Sequence, residues 1–298
     1  MENSKLINDS IGDRIFNVAN IVFSFIFLVA TAYPLIYVFS ASISSPQALM
    51  AGKVWLFPVE FSLEGYKAVI EYAKVWTGYG NSIFYTVVGT IINLIMTVAA
   101  AYPLSRKDLR GKNQIMMIFT FTMLFSGGMI PTYLLINNLG LINTRWALLI
   151  PNAMSVYNVI VTTTYFKTNI PDELLESSRI DGCSDFKFLT AIVLPLSGAI
   201  LAVMTLFYSV GHWNSFFDAL LYISDPKKYP LQIVLREILL LNTASELTTS
   251  MADENARLYL NELLKYALII VASLPLLIMY PFVQKYFVKG VMIGSIKG

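Results

Sequence analysis

Residues able to do covalent or metal chemistry are scarce in this chain. His212 is its single histidine and Cys183 its single cysteine. One thiol rules out an intramolecular disulfide and a cysteine-based zinc site, and one imidazole leaves little for histidine-dependent catalysis or metal ligation. Gly52-Lys53-Val54 and Gly111-Lys112-Asn113 lack the hydroxyl residue that follows Gly-Lys in a phosphate-binding loop. The remaining candidates are polar rather than catalytic. Asn93, Tyr133, Asn152, Tyr157, Asn158, Tyr165, Trp213 and Asn214 lie within or beside apolar segments. They supply ring faces for stacking and amides or hydroxyls for hydrogen bonding, the groups that hold a hydroxyl-rich small molecule. The plainer reading of the same residues is interfacial anchoring or bonding between buried helices. His212, alone beside Trp213, is read as a structural polar group near the outer surface.

The elements that carry these residues follow from charge placement. Of 298 residues, 56% are hydrophobic and only 13% charged, against about 25% charged in a soluble domain. Six uncharged intervals run 18 residues or longer: 15–52, 75–105, 113–144, 146–166, 188–217 and 266–284. Crossing a hydrocarbon core takes about 20 apolar residues at roughly 1.5 Å each. Spans are therefore placed near 15–41, 80–103, 114–137, 146–166, 188–210 and 265–284. Their interior prolines are tolerated where packed neighbours satisfy the freed backbone groups. Asn137, Asn138 and Gly140 read as the end of one helix rather than of the second of two. Phe125-Ser126-Gly127-Gly128-Met129, faintly similar to an ATPase signature, is read as small residues for close helix packing.

Orientation follows from the short loops. Ser105–Lys112 holds four basic residues and one acid, the 3–4 connection holds only Arg145, and the tail holds Lys285, Lys289 and Lys297. The positive-inside rule then places the 105–112 loop, the 4–5 loop and both termini in the cytoplasm. Outside lie a short helix capped by Ser62, with Tyr66, Val69, Ile70 and Ala73 on one face, and an amphipathic piece over 231–241. The expected organisation is an amino-terminal segment with the first span and external loop (1–77), a core of five spans (78–284) and a cytoplasmic tail (285–298). The fold class is all-α, a polytopic membrane protein of six transmembrane helices.

The strongest local signal lies between spans 4 and 5. Pro171 suits a first helical turn, Asp172 and Glu173 complement the positive end of the helix dipole, Gly182 ends the helix in the left-handed conformation, and Ser184 caps the next one. The result is a two-helix elbow on the membrane surface. Its spacing, Glu176-Ser177-Ser178, then Gly182, then Ile192, Leu194 and Pro195, resembles the EAA loop of permeases of binding-protein-dependent ABC importers. Serines stand where the family's alanines are usual, and Cys183 where a further alanine is common. Trp213-Asn214-Ser215-Phe216 resembles a stretch of sugar permeases, and Phe287 through Gly298 resembles the tails of the maltose-transporter type. Tyr229-Pro230-Leu231-Gln232 through Leu239 looks like permeases for oligosaccharides released from complex polysaccharides.

That resemblance implies a type I ABC importer permease fold and a heteromeric machine in a bacterial cytoplasmic membrane. Two different permeases would form the pathway, two ATPase subunits would bind ATP and Mg below it, and an external solute-binding protein would deliver an oligosaccharide. This chain would need no cofactor of its own and would not be an enzyme. Its elbow would be the coupling helix: Glu173, Glu176, Ser177, Ser178, Arg179, Asp181 and Gly182 would supply contacts to the ATPase, with Phe186 and Phe188 packing into its cleft. The amide and aromatic residues named above would line the substrate pathway. A permease for a peptide or a polyol is the nearest alternative. A secondary transporter would want ionisable groups inside its spans, and five of the six have none. A membrane-embedded enzyme would want a catalytic constellation that one His and one Cys do not provide.

Overall fold

The computed structural model describes residues 10–244, 264–281 and 284. The basic tail and the segment 285–298 lie outside them. Among the described residues the regular elements are helices, apart from one isolated β-bridge between Ser44 and Phe61. The described residues up to Glu71 and from Ile238 through Val271 pack as one compact unit. Those of Tyr72–Glu237, with the segment from Ala272 on, pack as a second.

In the first unit, Ser10 accepts a hydrogen bond from Asp13 N, and Asp13 reciprocates at Ser10 N, starting α1 (Ile11–Ser42) with a capping box. Its apolar side chains stand exposed on every side, Phe16, Phe23, Phe27 and Leu35 among them. A helix apolar all round that packs on so little protein suits hydrocarbon rather than water. Ser45 caps α2 (Pro46–Met50), and Ser62 Oγ accepts from Glu64 N at the start of α3 (Glu64–Glu71). Ala41, Ala48 and Val54 form a small core there.

In the second unit α4 (Ala73–Ser105) is the central column, packed on α8 (Val156–Asn169) and α11 (Gly198–Asn214). Three of the six expected spans are helices long and apolar enough to cross a bilayer: α1, α4 and α14 (Leu264–Pro281). The other three depart from single helices. The expected span 114–137 is α5 (Lys112–Leu124) and α6 (Met129–Asn138), bent by 111°. Its small residues therefore break the helix rather than pack it. Gly128 has φ 87° and ψ 175°, a region essentially open to glycine alone. Pro131 sits in the first turn of α6, where its missing N–H costs nothing.

The expected span 146–166 opens with α7 (Trp146–Leu149), and α8 begins only at Val156. Pro151 has no N–H to give and clashes with the preceding turn, so 152–155 leave the helix. The span at 188–210 becomes α10 (Asp185–Leu196) and α11, bent by 82° at Ser197. A π-helical turn, Leu189–Val193, precedes Pro195. Each bent pair has the length and composition of one span, which brings the total to five. The remaining helices are α9 (Asp172–Ile180), α12 (Phe217–Tyr222) and α13 (Leu231–Ala244).

The break at Gly128 gives a paired prediction. Gly128→Ala should cost about 1–3 kcal/mol and lower the thermal unfolding midpoint of the detergent-solubilised protein. Gly127→Ala, whose new methyl would meet only Pro131 Cβ at 3.7 Å, should leave it in place. Equal midpoints for both variants and the wild type would show that the bend does not depend on the glycine conformation.

Candidate functional site

Along α4 a polar stripe recurs at four-residue steps: Asn81, Tyr85, Gly89, Asn93 and Thr97 are buried on one face. Each polar member has a partner on another element. Asn81 donates to Lys227 O (2.8 Å) and accepts from Arg145 Nη2 (3.0 Å); Tyr85 donates to Lys228 O (2.8 Å). Tyr208 Oη accepts from Ser155 N (3.3 Å) and shares a second hydrogen bond with Thr97 Oγ1 (2.6 Å). At Gly89 the missing side chain matters: a β-carbon would overlap the ring of His212.

Below that contact four side chains form a chain of hydrogen bonds. Asn93 Nδ2 donates to Asn152 O at 2.5 Å. Asn93 Oδ1 is thereby left as acceptor, so His212 Nε2, 2.6 Å away, carries the hydrogen. Asn152 Nδ2 donates in turn to Asp218 Oδ2 at 2.7 Å. The chain borders a cavity of about 540 Å3, whose walls include Asn93, Asn152, His212, Asn214, Phe216 and Asp218. The break after Pro151 places Asn152, Met154 and Ser155 on the wall, and the end of α11 places the stretch from Asn214 to Asp218 there. Among the described residues, amides, one carboxylate and aromatic rings line the space, and no lysine or arginine does. Such a surface binds hydroxyl groups and the apolar faces of rings.

Of the expected pathway residues, the structure brings Asn93, Asn152 and Asn214 to this cavity. Trp213 is 2% exposed, donates Nε1–H to Ala272 O at 2.9 Å and meets Tyr79 edge-on. It holds helices together. Tyr133 stacks on Tyr222 with centroids 6.1 Å apart, Tyr157 is exposed, Asn158 is buried, and Tyr165 packs against the main core. None of these four is on the cavity wall. His212 and Asp218 were not singled out as solute contacts. The signal for His212 was its place opposite the four-residue stripe on α4; for Asp218 it was an acid bounding an otherwise uncharged interval.

The elbow forms as its residues dictate. Gly182 has φ +73° with no atom of the described residues within 4 Å of its missing β-carbon, and Ser184 Oγ accepts from Lys187 N at 3.3 Å. Glu173, Glu176, Ser177 and Ile180 share the exposed face of α9, with Arg179, Asp181 and Phe186 also exposed. Leu175 and Ser178 face inward. Phe188 departs from the expected contact with a partner's cleft: it is 0% exposed, packed in this chain's own core with Leu175, Phe166 and Val159. Phe186, 75% exposed, remains on the surface.

The basic loop 105–112 is bound to the elbow rather than free. Lys107 Nζ lies 2.6 Å from Asp172 Oδ2, and Arg179 Nη2 is 2.8 Å from Asp108 Oδ2 and 3.5 Å from Asp185 Oδ1. Hydrogen bonding from Arg179 holds the Asp108 carboxyl below its ordinary range, and Lys107 does the same for Asp172. In return Asp172 raises Lys107 and Asp108 raises Arg179. Both ends of α9 are thus tied to one loop.

A helical chain of this kind, bent at fixed glycines and prolines around a polar cavity and carrying a surface elbow, is the form of a membrane permease. No family model matches the sequence. It is 43% identical over 286 residues to Protein LplC of Bacillus subtilis (strain 168), covering 96% of each chain. It is 38% identical to the polygalacturonan/rhamnogalacturonan transport system permease protein YtcP of the same organism, covering 96% of this chain and 99% of that one. A solved chain from a bacterial ABC transporter involved in the import of the acidic polysaccharide alginate superposes with a TM-score of 0.85 at 37% identity, covering 94% of this chain and 99% of its own. The chain belongs to the family of ABC sugar-transport permeases.

The close approach at Gly89 is open to a double-substitution test. Gly89→Ala should displace the His212 ring, break its bond to Asn93 and lower the unfolding midpoint, at the 1–3 kcal/mol usual for overpacking. Adding His212→Ala should recover part of the loss, because the clash then has no second partner; strictly additive losses would mean that the two residues do not meet.

The ion pairs of the elbow set its response to pH. Asp108 and Asp172 have depressed folded values, so their stabilisation is full above the ordinary carboxylate pKa of about 4. It disappears only as pH falls through the lower folded values. Hydrogen-exchange protection of α9 should therefore stay flat from neutral pH down to about 5. Asp108→Asn should weaken that protection equally throughout this range, and Arg179→Gln in that background should add less than it does alone. A wild-type loss of protection centred near neutral pH would contradict the assignment.

Proposed function

We propose that this chain is one permease subunit of an ABC importer for oligosaccharides released from complex polysaccharides. The observation that carries the reading is the cavity beside α4. Amides and a carboxylate suited to sugar hydroxyls alternate there with Phe216 and Phe217, whose rings suit the apolar face of a pyranose. The kinship with a polygalacturonan/rhamnogalacturonan permease and with an alginate importer's chain supports the same substrate class. Among the described residues the wall carries Asp218 and no lysine or arginine, so the carboxylates of an acidic sugar would find their counter-charges on the binding protein or the partner permease.

In this reading α9 is the coupling helix. Glu173, Glu176, Ser177 and Ile180, with Phe186, present the surface that rests on an ATPase subunit; Arg179, through Asp108 and Asp185, fixes the angle at which they are presented. Gly182 leaves room for the partner at the turn. The 105–112 loop, the elbow and both termini face the cytoplasm. A second, different permease completes the pathway, two ATPase subunits bind ATP and Mg, and an external binding protein delivers the solute.

The test is reconstitution of the full transporter in sealed vesicles with a panel of neutral oligosaccharides, acidic oligosaccharides and short peptides. ATP hydrolysis and uptake of label should rise with binding protein loaded with an oligosaccharide, and this chain alone should do neither. Stimulation by peptides alone would discard the sugar assignment and keep the ABC permease. Uptake without ATP would discard both.

A further inference from the structure

A second cavity, of about 260 Å3, lies where α4, α5, α8 and the elbow converge. Arg106, Lys107, Lys112 and Lys167 are wall residues, against one carboxylate, Asp172. The sugar-transport reading uses none of this space. Lys107 is engaged with Asp172 at 2.6 Å, and Lys112 donates to Arg106 O at 3.1 Å. Arg106, its side chain only 14% exposed, reaches acids no closer than 3.7 Å, longer than a charge-assisted hydrogen bond. The Lys167 side chain has no ion pair or hydrogen bond among the described residues. The cations around this space therefore outnumber the anions that satisfy them.

An independent observation concerns Tyr102, another wall residue. It is 9% exposed, and its hydroxyl, fully buried, has no hydrogen-bond partner among the described residues. A buried hydroxyl left unpaired is costly, and a ligand oxygen would pair it. An acceptor with several oxygens and negative charge would meet the guanidinium, the two lysines and this hydroxyl together.

We propose that this cavity binds a phosphate group. Arg106 supplies a forked pair of donors, Lys112 and Lys167 supply charge, and Tyr102 donates its hydroxyl hydrogen to a phosphate oxygen. The cavity stands at the end of α4, a helix of bilayer length, which admits two sources, the headgroup of an anionic phospholipid and free phosphate. Asp172 heads the coupling helix, so an occupied site also braces the elbow from behind through Lys107 and Arg106.

The test uses the full transporter, delipidated and then placed either in phosphatidylcholine vesicles with rising fractions of phosphatidylglycerol or in phosphatidylcholine alone with rising inorganic phosphate. The thermal unfolding midpoint of this subunit is read, since a ligand of the folded state raises it by mass action. ATPase subunits also bind phosphate, so the difference between wild type and variants carries the result. Lys167→Gln and Tyr102→Phe should each shift the concentration dependence by roughly fivefold. Lys74→Gln, which removes a cation paired with Glu237 elsewhere, should not. Tyr102→Phe should leave the ligand-free midpoint unchanged or raised, because its hydroxyl has nothing to lose there. A shift seen only with phosphatidylglycerol assigns the site to lipid; one seen with inorganic phosphate shows that the phosphate group suffices. Variants indistinguishable from wild type in both arms, or a midpoint indifferent to both anions, would overturn the proposal. No sugar enters the experiment, so its failure leaves the transport assignment untouched.

Discussion

A hydrocarbon surround offers no hydrogen bonds, so each polar group carried into it must find a partner inside the protein. That constraint organises α4. Its stripe of Asn81, Tyr85, Asn93 and Thr97 is matched by Lys227 and Lys228 carbonyls, His212, the Asn152 carbonyl and Tyr208. Meeting those partners brings α11 close enough to α4 that only glycine fits at 89. It also requires the chain near Asn152 to leave the helix, because a carbonyl committed to its own helix is poorly placed to accept from Asn93. The break at 152–155, and the part of the cavity wall it forms, thus serve to satisfy this one stripe.

Charge placement made the apolar segments legible, because water-soluble chains rarely go without charge over a run of bilayer length. The same sequence hid the breaks. Proline and glycine are tolerated in membrane helices when neighbours compensate, so Pro151, Pro195 and Gly127-Gly128 fit a straight span as well as a bent one. Whether they bend a helix depends on partners that no local pattern encodes. Gly128 illustrates this, since only its φ of 87° and ψ of 175° separate a hinge from a packing contact. Cavity residues were legible by type but not by direction. Asn93 and Trp213 looked equally suitable, and one ends on the cavity wall while the other holds Tyr79 and the Ala272 carbonyl.

The elbow was legible in finer detail, for a physical reason. Its turn is specified locally, by a glycine at φ +73° and a serine cap one turn ahead of Lys187, and neither depends on distant packing. The loop 105–112 was legible only in part. Counting its cations gave an orientation, but Lys107 and Arg106 also have geometric work, as does the single acid, Asp108, in holding Arg179. Exposed ion pairs one at a time contribute little. Here pairs at both ends of a nine-residue helix act on the same loop, which leaves α9 little freedom to pivot independently of the end of α4.

The burial of Phe188 bears on how a push at the elbow travels. Had its ring faced outward, the buried cluster shared by α9 and α10 would have lost its bulkiest member from α10. Instead Leu175 from α9 and Phe188 from α10 belong to one buried cluster with Val193, Ile200, Met204 and Tyr208. Interiors packed this closely have low compressibility and pass displacement on. Tyr208 is at once a member of that cluster, a wall residue of the cavity beside α4, and the partner of Thr97 and of Ser155 N. A displacement of the elbow therefore reaches the cavity wall through continuous side-chain contact. It arrives at the residue whose hydrogen bonds hold the broken segment around Asn152 against α4.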